Sequence, residues 1–280
     1  MENALEIKGL KKAYGRFVLD GINLTLPQGC IMGLIGENGA GKSTTIKLIL
    51  GLIKKSGGEI RILGSTIDND EESIKEHIGA VIDESCFPDN VCINDINMIL
   101  KNIYRTWDEQ KFLYYADKFS LPVKEAVKNY SRGMKMKLSI AVALSHDSKL
   151  LILDEATSGL DPIIRDEILD VFLDFIQDET HSIFMSSHII SDLEKVCDYI
   201  TFIHEGKIIF CEAKDELKEK FGILKCSEDE FLNIDKSIIK GYRKNSFGVE
   251  ALVYKDKIKK DYTIDNASIE DIMLYYIKEQ

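Results

Sequence analysis

The chain is poor in several residues that mark particular protein classes. Its 280 residues hold 4 prolines and 1 tryptophan, and its 6 cysteines (Cys30, Cys86, Cys92, Cys197, Cys211 and Cys226) are scattered without a CxxC pair. That spacing excludes a disulfide framework and a paired-thiol zinc site, and predicts reduced, mostly buried thiols. No run approaches 18 apolar residues, so no segment is long enough to span a bilayer as a helix. The opening MENALEIKGLKK also lacks the apolar core of a secretion signal, so the expected location is the cytosol. Basic charge is the scarcer sign: 36 Lys plus Arg stand against 47 Asp plus Glu, a formal charge of -11. A protein that grips nucleic acid through its phosphates needs a basic face, and this balance argues against one. What remains, 45% hydrophobic and 30% charged, is the composition of a packed globular chain.

The pattern along the chain changes three times. Short apolar segments at residues 4–10, 17–26 and 30–35 read as strands. From residue 94 to 127 apolar side chains recur at three- and four-residue steps, Ile96, Ile99, Leu100 and Ile103, then Phe112, Leu113, Ala116 and Phe119, which predicts amphipathic helices. Continuous apolar runs at 150–153, 182–185 and 199–203 then alternate with helical segments, the signature of a parallel sheet covered on both faces. After the strand at 207–210 the apolar runs end, so a boundary is expected near residue 211, with a larger domain over residues 1–210 and a smaller one over 211–280. The first 210 residues carry 23 basic and 32 acidic groups and the last 70 carry 13 and 15, so the acidity is concentrated in the larger part. Near the end, Ser268 and Asp271 form a helix-start pattern ahead of Ile269, Ile272, Met273, Tyr276 and Ile277 on one face. That face is expected to pack on its own small sheet, with a second subunit as the alternative.

The most specific signal is Gly36-Glu37-Asn38-Gly39-Ala40-Gly41-Lys42-Ser43-Thr44, a full match to GxxxxGK[ST] between an apolar strand and an apolar helix. Glycines let successive backbone N–H groups curl around an anion, and a helix starting at Lys42 adds its positive dipole end. Lys42 would reach the β- and γ-phosphates of a nucleotide, and the Ser43 hydroxyl would complete a Mg²⁺ shell. A second signal is the run ending in Asp154-Glu155, because strand tips are where doubly wound sheets present groups to ligands. There Asp154 would bind Mg²⁺ through its water shell and Glu155 would orient or deprotonate a water facing the γ-phosphate. The run at 182–185 leads into Ser186-Ser187-His188, where a histidine at a strand tip would donate a hydrogen bond to the γ-phosphate. His77, His146, His181 and His204 have no such context and are expected at the surface.

Taken in order, these motifs resemble the ATP-binding cassette family, the motor subunits of ABC transporters, over roughly residues 3–211. The resemblance implies an α/β P-loop NTPase: a RecA-like parallel core with antiparallel strands at the N-terminal end and a helical subdomain over about 84–146, followed by a small α+β C-terminal domain. It implies that Glu155 is the catalytic base, His188 the switch histidine, Ser158 to Asp161 the D-loop and Tyr14 an aromatic that stacks on adenine. The family signature LSGGQ appears as Tyr130-Ser131-Arg132-Gly133-Met134, with Arg132 and Met134 replacing a glycine and a glutamine. Ser131, Gly133 and the helix start survive, and in the family that helix end holds the γ-phosphate of the nucleotide on the opposite subunit. The Q-loop glutamine aligns with Asp83, with Glu84 as runner-up, and a carboxylate there can still ligate Mg²⁺.

The YSRGMK signature with Gly159-Leu160-Asp161-Pro162 is similar to cassettes paired with ABC-2 type permeases, exporters that include the YtrB-like group of Gram-positive bacteria. The resemblance therefore implies ATP and Mg²⁺ as ligands and dimerisation on ATP, as homodimer or heterodimer. It also implies a separate transmembrane permease as partner, with contact to the inner face of the cell membrane only through it. The alternative is a soluble or regulatory cassette with weak hydrolysis and no direct tie to transport. The helical insertion would meet the permease, with Phe87, Ile93, Tyr104 and Trp107 as candidate exposed contacts, ordinary core packing being an equal alternative for each.

Overall fold

Alternating and continuous apolar runs fold into different sheets. The computed structural model describes residues 2–15, 17–67, 71–82, 87–258 and 262–277. Strands β1 (Asn3–Tyr14) and β2 (Phe17–Pro27) pair antiparallel with Leu5 opposite Leu26. In β2, Ile22, Leu24 and Leu26 are buried while Asn23 and Thr25 face solvent, the two-residue period of a sheet covered on one face. Strands β4 (Gly57–Ile62) and β5 (Ser65–Thr66) extend this sheet in the order β2-β1-β4-β5.

Strand β3 (Ile31–Ile35) belongs to a second sheet with β6 (Ile78–Val81), β7 (Leu150–Asp154), β8 (Ser182–Ser187), β9 (Tyr199–His204) and β10 (Lys207–Ala213). Its order is β10-β9-β3-β8-β7-β6, and the β9-β3-β8-β7-β6 portion is parallel. Every residue of β3, β7 and β8 is buried, as expected for strands covered on both faces. Each fully buried Leu or Ile stabilises the sheet by about 1.5–3 kcal/mol before entropy is counted.

Helices α1 (Lys42–Ile49), α2 (Glu71–Glu76), α6 (Pro162–Phe175) and α7 (Ile190–Val196) connect this sheet. Between β6 and β7 lies the helical insertion, α3 (Ile93–Leu100), α4 (Glu109–Lys118) and α5 (Arg132–Leu144). Helix starts are fixed by side chains: Asp108 accepts from the Lys111 N–H at 2.9 Å and Ser131 from the Met134 N–H at 3.2 Å. The predicted apolar stripe is buried at Ile96, Leu100, Phe112, Ala116 and Phe119 and exposed at Ile99, Ile103 and Leu113. Among the described residues, no helix is long and apolar enough to cross a membrane.

Met1–Cys211 form one compact unit and Glu212–Gln280 a second. The second unit holds α8 (Lys214–Lys220), β11 (Phe221–Cys226), α9 (Glu228–Leu232), β12 (Ile239–Asn245), β13 (Gly248–Tyr254), β14 (Ile264–Asn266) and α10 (Ile269–Ile277). Its antiparallel sheet runs β12-β13-β11-β14. Ser268 caps α10 reciprocally with Asp271, its hydroxyl accepting from the Asp271 N–H at 3.0 Å while its own N–H donates to the carboxylate at 3.0 Å. The helix buries Ile269, Ile272, Met273 and Tyr275 and packs on β12 and β13, so the unit's own sheet receives its apolar face. Tyr275 takes a core place that the helical period assigned to Tyr276 and Ile277, which are half-buried.

Candidate active site

Register in the parallel sheet brings three strand tips together. In the order β3-β8-β7, Ile35 lies opposite Ser187 and Ser186 opposite Asp154. The residues that leave these tips, Gly36 onward, His188, and Asp154 with Glu155, therefore emerge side by side at one end of the sheet.

The loop between β3 and α1 is shaped by its glycines. A Cβ on Gly36 would run into the Ile203 carbonyl, and Gly41 adopts φ 117 as the residue ahead of α1, a conformation that side chains resist. No side chain caps α1, so its first N–H groups and its dipole end are left for an anion. Lys42 is almost fully buried, and its Nζ donates to the carbonyls of Gly36 at 2.8 Å and Glu37 at 3.3 Å. Folded back along the loop, it presents a fixed cation where phosphates would sit. Ser43 Oγ donates to Asp154 Oδ1 at 3.2 Å, which joins the loop to the tip of β7.

Glu155 follows Asp154 at φ 52, a left-handed conformation uncommon for a residue with a side chain and found disproportionately at functional sites. Its N–H is held by the Ser186 carbonyl at 3.2 Å and hydroxyl at 3.1 Å. Its carboxylate lies between two groups, with Oε1 3.5 Å from Lys42 Nζ and Oε2 2.6 Å from His188 Nδ1. Ser186 also donates to Asp154 Oδ1 at 2.6 Å, so one hydroxyl orients both acids. The arrangement can place a base beside a water and a cation beside a leaving phosphate.

The donor set fits Mg²⁺. Ser43 Oγ and Asp154 Oδ1 are hard oxygen donors at the mouth of the phosphate loop, and Mg²⁺ is usually held by one or two carboxylates together with substrate phosphates and water. Among the described residues no group of three or more His, Cys, Asp or Glu gathers as a self-sufficient metal cage.

A cavity of about 630 Å³ opens over this cluster, lined by Tyr14, Phe17, Glu37, Asn38, Gly39, Gly41, Lys42, Ser43, Thr44, Glu155, Ser158 and His188. Gly36 and Ala40 shape the loop behind it; a Cβ on Gly36 would lie 3.3 Å from that of Ala40. Ser131 and Gly133 are elsewhere, at the start of α5, where Gly133 is buried against Ile164 of α6. Asp161 uses its carboxylate to cap α6, accepting from the N–H groups of Ile163 and Ile164 at 3.1 Å each. Asp83 and its runner-up Glu84 lie outside the described residues.

A family model described as ABC transporter matches residues 19–158, the stretch from β2 through the phosphate loop and signature to Ser158. The chain belongs to the ABC transporter family. It is similar to the lantibiotic transport ATP-binding protein SrtF of Streptococcus pyogenes, 39% identical over 78% of this chain and 95% of the relative. It is also similar to the bacitracin transport ATP-binding protein BcrA of Bacillus licheniformis, 36% identical over 79% of this chain and 73% of the relative. A solved structure of an ATP binding subunit of an ABC transporter superposes with a TM-score of 0.70 at 26% identity, covering 77% of this chain and 92% of that one. The cassette is thus an ATP-binding and ATP-hydrolysing motor subunit of an ABC transporter, on the α/β P-loop fold that its motifs imply.

Several expectations about single residues need correction. Ile93, the first residue of α3, is fully buried, so it is no exposed contact. Phe87, Tyr104 and Trp107 are half-buried, Tyr104 stacking on His146 at 4.0 Å and Trp107 donating its Nε1–H to Asn97 Oδ1 at 2.8 Å. Exposed apolar side chains of the insertion instead include Met98, Ile99 and Ile103, and Ile103 lines a groove of about 760 Å³. His146 is buried rather than superficial: its Nδ1 lies 2.9 Å from the Glu76 carbonyl, and burial pushes its pKa down. Of the described cysteines only Cys197 is fully buried; Cys30, Cys92, Cys211 and Cys226 are half-buried and free. Sequence reasoning missed Ser186 as the hinge of the acidic pair; a small hydroxyl two residues before the tip histidine was the available signal. It missed Phe17 too, because an aromatic opening a strand looks like any other.

Proposed function

We propose that this cassette binds ATP with Mg²⁺, pairs with a second copy of itself, and drives a separate membrane permease at the inner face of the membrane for export. The observation that carries the reading is the convergence of Lys42, Ser43, Asp154, Glu155 and His188 at three aligned strand tips. Lys42 and the α1 N-terminus would hold the β- and γ-phosphates, Ser43 and Asp154 would hold Mg²⁺, and Tyr14 would stack on the base. When bound, Mg²⁺ supplies charge neutralisation at the phosphate oxygens. Glu155 would take the proton of the attacking water while His188, bonded to its Oε2, fixes its orientation.

The separation of Ser131 and Gly133 from the phosphate cavity favours a shared site, because those groups reach a γ-phosphate only across a partner. This chain carries both halves, so a second copy completes both sites. The exposed Met98, Ile99 and Ile103, the last of them lining the groove, are the surface proposed for the permease, and residues 212–280 are proposed as an accessory domain. SrtF is named for lantibiotic transport and BcrA for bacitracin transport. A peptide antibiotic is therefore the cargo class proposed for the partner permease. The test is co-expression with the membrane protein encoded beside it: the two should co-purify, and peptide export should require Glu155. Failure to co-purify, with ATP turnover intact, would leave the regulatory cassette as the better reading.

A further inference from the structure

The helix that follows His188 is anchored by a buried charge. Asp192, on α7, is 3% exposed, and its Oδ1 lies 3.3 Å from Arg165 Nε in the first turn of α6. Its Oδ2 has no hydrogen-bond partner among the described residues. Replacing a buried ion pair by apolar groups is often neutral or stabilising, so stability alone is a weak reason for one here. What such a pair does supply is register, since only one placement of α7 brings Asp192 to Arg165. A second tie, from Lys195 to Asp166 and Asp170, joins the same two helices on their exposed side.

Both helices of this pair begin a few residues after the reacting cluster, α6 at Pro162 and α7 at Ile190. The Arg165 N–H bonds the Asp161 carbonyl at 3.0 Å, so Arg165 sits one turn beyond the residue that closes the loop leading from Glu155 and Ser158. On the other side, α7 starts two residues after His188, and Ser187 Oγ accepts from the Ile189 N–H at 2.9 Å, which fixes the turn between them. His188 itself is half exposed, and among the described residues its side chain bonds Glu155 alone, at 2.6 Å, so its backbone anchor matters for its aim.

We infer that the Arg165–Asp192 pair is a positioning device, which holds α7 in register on α6 and thereby keeps His188 against Glu155 during hydrolysis. The inference rests on the proposed role of His188. A shift of about 1 Å in a catalytic constellation can lower a rate by about 100-fold.

The test is a mutant cycle on the full chain, read as the single-turnover rate with γ-labelled ATP together with the half-saturating ATP concentration. Arg165→Gln alone strands a buried carboxylate and threatens folding, so the informative variant is the neutral pair Arg165→Gln with Asp192→Asn. It should slow turnover roughly 10- to 100-fold and leave half-saturation within about twofold. In a His188→Ala background the same pair should cause no further loss, because residues acting through one group are not additive. Losses that multiply in that background, or an unchanged rate in the neutral pair, overturn the inference. An unchanged rate in His188→Ala alone overturns it too, by removing the role of His188 itself.

Discussion

Replacing Lys42 by Ala is the perturbation whose magnitude follows most directly from the geometry. The ammonium is buried and bonded to the Gly36 and Glu37 carbonyls at 2.8 and 3.3 Å, with Glu155 Oε1 at 3.5 Å. It is therefore pre-positioned, so little rotamer entropy remains to be lost when phosphates arrive. A hydrogen bond to a charged group contributes about 1.5–3 kcal/mol, and contact with two phosphates would contribute about 3–6 kcal/mol. Since about 1.4 kcal/mol is tenfold, Lys42→Ala should weaken ATP binding by about 100- to 20,000-fold. Glu155 keeps its His188 partner in the variant, so the cluster retains one of its two links. Calorimetric titration with ATP, on protein whose circular dichroism matches the parent, reads the effect. An ATP dissociation constant within about threefold of the parent would refute the argument that this cation, rather than the loop backbone, dominates phosphate binding.

Ser186→Ala removes the donor to Asp154 and an acceptor for the Glu155 N–H, bonds of 2.6 and 3.1 Å, and should cost about 1.5–3 kcal/mol of stability, the net worth of a hydrogen bond to a carboxylate, since Ser43 and the Ser186 carbonyl still pair the two groups. An unshifted urea midpoint would count against it. Asp161→Ala removes the cap of α6 and should cost about 0.5–2 kcal/mol, while Asp161→Asn should be close to neutral; equal melting temperatures for all three proteins would contradict this. Burial holds His146 neutral with its pKa below the ordinary value of 6.5, so its contribution is complete above that value and is lost as pH falls through the folded pKa. Stability should therefore drop on acidification from neutral pH, and His146→Gln should flatten that slope; parallel slopes for the two proteins would rule the contribution out.

The phosphate loop and the two strand tips were legible because their chemistry requires fixed residue types at fixed spacing, and Gly36, Lys42, Asp154 and His188 all stand where the apolar runs placed them. Side-chain exposure in the insertion was not. Helical period identifies which residues share a face, and Ile96 and Ile99 fit one stripe equally well, yet packing of α3 within the insertion, against α4, leaves the first buried and the second open. His146 was misplaced for a related reason: a histidine beside Asp147 reads as surface, and only the fold brings Tyr104 across to stack on it. The Arg165–Asp192 pair was invisible because a 27-residue separation, with β8 between them, carries no local signal.

The central claim is that ATP closes two cassettes into one hydrolytic unit, and Glu155→Gln tests it most directly. The substitution keeps the shape of the carboxylate and removes the base, so turnover should fall about 100- to 10,000-fold while ATP binding persists. Sedimentation of the purified variant should then show monomer without nucleotide and dimer with ATP and Mg²⁺. A variant that stays monomeric at saturating ATP, or forms the same dimer with and without it, would contradict the account.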